Sequence, residues 1–111
     1  MINRNLSNSF VRVEVIADKN GFWLEPHCDI KEKLMSSILF VNRYGENENL
    51  GTDFYTPDLK VAKTLPYTNN FGYIFTSEKD SWHGLEKKYI KNERRCLQLN
   101  YVTFETEWPV Y

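Results

Sequence analysis

The chain has two histidines, His27 and His83, and each stands where it can serve a cation. His27 lies in Pro26-His27-Cys28-Asp29. On an extended segment, residues two apart point the same way. His27 and Asp29 therefore project together, and Cys28 points away. His83 lies far along the chain, in Ser81-Trp82-His83-Gly84, and becomes a third ligand if the sheet closes on itself. Two imidazoles and one carboxylate on one side of a metal leave the opposite positions open. Taken alone, His-x-Asp recurs by chance and reads as a paired surface histidine. Arg94 and Arg95 by themselves read as solvated strand-edge charges, but beside the histidines Arg94 adds to the weighing. It follows His83 by eleven residues, at the start of the last strand. A guanidinium suits a carboxylate through two parallel hydrogen bonds. Deep in a barrel it needs such a partner, because an unpaired buried charge is costly.

The elements that must position these groups read as strands. Residues 10–16 alternate, with Val11, Val13 and Val15 on one face and Arg12 and Glu14 on the other. Asp18-Lys19-Asn20-Gly21 supplies turn chemistry. Further strands are expected at residues 22–25, 33–42, 51–55, 59–65, 71–76 and 97–104, with Pro26 ending the pairing of the second. A short helix at residues 30–36 is the alternative for that stretch. Seven or eight short strands at roughly ten-residue spacing suggest a sandwich or barrel. The 111 residues fit a single domain, 1–111.

Composition narrows the function classes. The net charge of −1 leaves no basic surplus for a polyanion, which argues against nucleic acid. Two cysteines make no disulfide scaffold. The polar start, Met1-Ile2-Asn3-Arg4-Asn5, leads into no apolar signal core. The run Ile38-Leu39-Phe40-Val41 is too short to cross a bilayer. The expected setting is soluble, cytoplasmic and reducing, without a membrane partner.

Four motifs in order carry a resemblance. They are Pro26-His27-Cys28-Asp29, Gly51-Thr52-Asp53-Phe54-Tyr55, Ser81-Trp82-His83-Gly84, and Arg94-Arg95-Cys96-Leu97 with Asn100-Tyr101-Val102. Together they resemble the iron(II)- and 2-oxoglutarate-dependent dioxygenases, with a likeness to a bacterial, prolyl-hydroxylase-like branch. The resemblance runs from about Phe10 to Val102. It implies an all-β double-stranded β-helix, or jelly roll, here a minimal core without the helices that relatives carry before the barrel. It implies Fe(II), 2-oxoglutarate as cosubstrate, and O2. Decarboxylation to succinate and CO2 would be coupled to hydroxylation of a C–H bond in a small molecule or protein side chain. His27, Asp29 and His83 match the metal and catalytic triad. Arg94 matches the residue that holds the distal carboxylate of 2-oxoglutarate, with Cys96 in the family's Ser place. Phe40 falls where some relatives carry a cosubstrate-binding Tyr. Its hydroxyl is absent, so one contact must come from elsewhere, and Lys33 is the candidate. Base-demethylating relatives carry a further Arg after the cosubstrate Arg. Nothing basic follows Arg95 here.

Strand parity adds detail. If Arg94 faces the pocket, so do Cys96, Gln98 and Asn100, while Arg95, Leu97, Leu99 and Tyr101 face out. Phe40 inward puts Leu39 and Val41 outside. Arg12 and Glu14 would face in, as a mutual ion pair or toward substrate. One outer sheet face is then apolar, which predicts a covering partner, a homo-oligomer (dimer) or the rest of a longer chain. Trp23 and Trp82 are expected in the core, Cys28 as a small buried residue, and Asn42 and Tyr44 at the substrate rim. The alternative functions are a cupin-like metal binder or isomerase and a non-catalytic jelly-roll module. The former wants a His-x-His with a following Glu, which the chain lacks.

Overall fold

A computed structural model of the chain describes residues 5–105. The polar start read at residues 1–4, and both ends of the domain taken as 1–111, lie outside the described residues. The fold is all-β. Eight strands are formed among the described residues: β1 (Phe10–Asp18), β2 (Leu24–His27), β3 (Lys33–Phe40), β4 (Asp53–Tyr55), β5 (Val61–Thr64), β6 (Gly72–Phe75), β7 (His83–Leu85) and β8 (Arg94–Val102). They build two four-stranded sheets, ordered β1-β8-β3-β6 and β2-β7-β4-β5, with antiparallel pairing. No helix among the described residues is long and apolar enough to cross a membrane.

The alternation seen in the sequence becomes the two faces of the large sheet. Arg12, Asp18, Phe40, Arg94, Cys96 and Asn100 are buried, whereas Val11, Val13, Val15, Leu39 and Val41 are exposed. Between the sheets, Phe40, Leu50, Tyr67, Ile90 and Cys96 form the core, with Ile16, Ile38, Phe71 and Tyr73 packed against it. Arg12 and Glu14 pair with each other, Nη2 to Oε1 at 2.6 Å.

Several boundaries differ from the sequence expectation. No helix forms at residues 30–36. The chain turns there, Lys33 N–H donating to Ile30 O, and enters β3. β3 pairs with both β8 and β6, and these two ladders outweigh a short, weakly capped helix. β2 sits two residues later than expected and runs through Pro26, with a register shift between Leu24 and His27. The shift takes Pro26, which has no N–H to donate, out of the regular ladder. β1 extends to Asp18, and β8 begins at Arg94 rather than Leu97. A 3-10 turn, Glu48–Leu50, interrupts the loop before β4. Trp23 is 55% exposed instead of buried, because it lies in the connection between β1 and β2. Trp82 and Cys28 are half-buried.

The small sheet is fastened by Asp53, fully buried at the start of β4. Its Oδ1 accepts from Thr64 Oγ1 at 2.6 Å and from Lys88 Nζ at 2.8 Å, and its Oδ2 accepts from Glu86 N–H at 2.8 Å. One carboxylate thereby ties β4 to β5 and to the segment leaving β7.

Candidate metal centre

β2 and β7 pair so that His27 and His83 are direct register partners. This answers how residues 56 positions apart in the chain can share an ion. Gly84, next to His83, is required by the packing. A Cβ there would stand 2.5 Å from Leu24 O and 3.0 Å from Glu25 O, so a side chain would push β7 off β2. Asp29 lies two residues beyond the end of β2. The ligand atoms of His27, Asp29 and His83 all lie within 4.8 Å of one another.

Each imidazole is oriented by backbone. His27 Nδ1 lies 2.9 Å from Glu25 O, and His83 Nδ1 lies 2.8 Å from Ser81 O. A carbonyl only accepts, so Nδ1 carries the hydrogen in both rings, and a neutral ring then presents a lone pair at Nε2. Both Nε2 atoms face Asp29 Oδ1, at 3.4 and 3.5 Å. Ligands bound at about 2.0–2.2 Å to one divalent ion stand roughly 3–3.5 Å apart. The two imidazole–carboxylate spacings are those of ligands to a common metal ion.

The surroundings hold Asp29 in place. Ser36 Oγ reaches Asp29 Oδ2 at 3.2 Å and Asn100 Oδ1 at 2.9 Å, and Ser77 Oγ donates to Asp29 O at 2.7 Å. Burial alone would raise the Asp29 pKa. Hydrogen bonds from the two imidazoles, with the Lys33 charge, outweigh it and hold the carboxyl well below the usual range. The Asp29 hydrogen bond in turn raises the His27 pKa. A divalent cation offers the same electrostatic partner that these protons supply.

A cavity of about 300 Å³ leads from this cluster between the sheets, and its far part is lined by Thr52, Tyr73, Arg94 and Cys96. Arg94 is buried there, opposite Asp18 in the β1–β8 register. Its Nη1 donates to Asp18 Oδ2 at 2.8 Å, and its Nε donates to Leu50 O. Burial raises the Asp18 pKa, against the lowering effect of Arg94. Burial also pushes the Cys96 thiol up to about 11, so it stays neutral on the cavity wall.

The structure thus brings His27, Asp29 and His83 together and puts Arg94 and Cys96 on the same cavity. Two assignments change. Phe40 is not on the cavity wall. It is fully buried, its ring edge-on to Tyr67, and Arg94 Cζ lies 5.4 Å over that ring. Lys33 lines the cavity at the metal end, with Nζ 3.9 Å from Asp29 Oδ1, so its charge serves the metal ligand. Asn42 caps its own loop, accepting from Gly45 and Glu46 N–H, and Tyr44 lies under Arg43 and Arg95; neither lines the cavity.

Sequence reasoning missed Asp18, Ser36, Thr52 and Tyr73. Asp18 had a usable signal, since it continues the inward parity of Arg12 and Glu14. Its turn-like neighbours hid that. No protein-family model matches the chain, and no curated protein matches it in sequence.

Proposed function

We propose that this protein is an iron(II)- and 2-oxoglutarate-dependent dioxygenase on a double-stranded β-helix, hydroxylating a C–H bond of a small molecule or protein side chain. One observation carries the proposal. Two imidazoles anchored through Nδ1 aim their Nε2 atoms at one carboxylate, at the mouth of a cavity that continues to a buried guanidinium. The strand orders β1-β8-β3-β6 and β2-β7-β4-β5 support the jelly-roll topology.

His27, Asp29 and His83 would hold the metal on one side, leaving the cavity side for cosubstrate and O2. Bound iron(II), with 2-oxoglutarate and O2, supplies oxidative decarboxylation to succinate and CO2 coupled to hydroxylation. The chain's own residues bind, orient and exclude water. Ser36 and Lys33 keep Asp29 charged and in position, Arg94 takes the distal carboxylate, and Phe75 and Phe54 wall the site beside His83 at ring-centroid distances of 4.8 and 6.0 Å. The charge of −1 and the absence of a basic residue after Arg95 support a substrate other than nucleic acid.

The apolar outer face of the large sheet supports a homodimer. Val11, Val13, Val15, Leu39 and Ile74 are exposed there, with Arg95 on the same face of β8.

A second reading draws on the Arg94–Asp18 pair. A guanidinium already neutralised suits a metal-binding jelly roll, cupin-like or non-catalytic, that takes no cosubstrate. Anaerobic Fe(II) plus 2-oxoglutarate separates the two. The dioxygenase reading requires a weak visible charge-transfer band, weakened when Asp18→Asn and Arg94→Gln are combined. Metal binding without the band selects the second reading, and failure to bind metal leaves a non-catalytic module.

A further inference from the structure

The far end of the cavity holds a cation that already has its anion. We infer that Asp18 is a specificity-determining residue: it cancels the Arg94 charge, so a 2-oxo acid with a second carboxylate binds there only together with one proton, which Asp18 holds. The inference rests on the dioxygenase reading and adds to it a rule for what the far end admits.

Asp18 and Arg94 are direct partners at the end of the β1–β8 ladder, both line the cavity, and both are buried. Arg94 Nη1 donates to Asp18 Oδ2 at 2.8 Å, and its Nε is taken by Leu50 O. The neighbouring charges are spent elsewhere. Lys19, next in the chain, is exposed and reaches Glu93 at 2.8 Å. Glu14, further along the inner face of β1, pairs with Arg12 at 2.6 Å. In the small sheet Asp53 pairs with Lys88, and Glu46 accepts from Lys91 and Asn92 N–H. Among the described residues, the other titratable groups on this part of the wall are Cys96 and Tyr73. Burial pushes the Cys96 thiol up to about 11 and the Tyr73 hydroxyl up to about 12, so both are neutral. The far end therefore carries no net charge. The metal end differs, because Lys33 faces Asp29 and a divalent ion bound there leaves a surplus of positive charge.

A second carboxylate entering unchanged would leave two anions on one buried guanidinium. Two carboxyl groups sharing a site do not both stay ionised. Burial already raises the Asp18 pKa against the pull of Arg94, so Asp18 is the group that takes a proton from solvent. Protonated, it turns from acceptor to donor, with an O–H for a ligand oxygen. The ligand carboxylate then meets an N–H of Arg94 and the O–H of Asp18, and the far end balances again at one cation and one anion.

The test uses the full chain loaded anaerobically with Mn(II). It is titrated by calorimetry at several pH values around neutrality, in buffers of unlike ionisation heat, with 2-oxoglutarate and with 2-oxobutyrate, which lacks the far carboxylate. Binding of 2-oxoglutarate should take up about one proton more than binding of 2-oxobutyrate, and its affinity should fall by up to about tenfold per unit as pH rises. Asp18→Asn should remove the extra proton, flatten that slope and raise 2-oxoglutarate affinity by roughly tenfold or more at the alkaline end, with 2-oxobutyrate unchanged. No extra proton in the wild type, a measurement that needs no variant, overturns the inference and leaves the dioxygenase reading standing. An extra proton that persists in Asp18→Asn also overturns it, since another group then holds it. A wild type that holds Mn(II) but binds neither acid removes the dioxygenase reading, and this inference with it.

Discussion

The two faces of the large sheet reverse the usual arrangement. On β1 and β8 the inward side chains include Arg12, Glu14, Asp18, Arg94, Gln98 and Asn100, while Val11, Val13 and Val15 on the outward side are 50, 57 and 85% exposed. A sheet normally turns its apolar face to the core. Here the inner face carries a cavity, so its polar groups must be satisfied by one another or by what the cavity holds. The outer face leaves apolar side chains exposed. Along the same nine-residue strands, one side is polar and buried around a cavity and the other is apolar and exposed.

The largest test of this contrast is the inner ion pair. Arg94→Ala leaves Asp18 buried without its cation and should cost about 3–5 kcal/mol of unfolding free energy. The combination of Asp18→Asn with Arg94→Gln should cost clearly less, because no charge is stranded. Urea denaturation of the two variants and wild type measures the difference. Next, Asp29→Ala should lower Mn(II) or Co(II) affinity by roughly 100-fold or more, with the fold intact by circular dichroism, since it removes the ligand both imidazoles face. Ser36→Ala, which removes a hydroxyl shared by the Asp29 carboxylate and Asn100, should cost about tenfold in the same calorimetric titration. The outer face should be the most forgiving. Val15→Lys should change stability by less than about 0.5 kcal/mol. In combination with Val13→Lys it should convert the sedimenting species from dimer to monomer. A monomeric wild type would break the comparison at its outer half.

Much of the inner face was legible in the sequence, and the reason is local. Period-two alternation in residues 10–16 and 94–100 assigns side chains to faces without knowledge of the partner strand. The inward set Arg94, Cys96 and Asn100 is buried as that parity requires. The triad was legible for a similar reason, because His27 and Asp29 lie two apart on an extended segment. What failed was also local. Asp18 has turn chemistry after it, yet its partner is Arg94, 76 residues away, and that pairing extends the strand. Trp23 has the residue type of a core position but lies in a connection, so type alone misplaced it. Residues 30–36 have a helix-compatible composition that two β ladders override.

The sequence by itself determined that the chain is all-β, which side chains share a face, and that two imidazoles and a carboxylate are available as ligands. Those are properties of nearest neighbours along the backbone. Only the tertiary structure decided that His27 pairs with His83, that both rings are anchored through Nδ1, that Phe40 leaves the cavity wall, and that Tyr73 and Thr52 stand near Arg94. Each of these depends on strand register, and register is set by the summed packing of whole sheets rather than by any one segment.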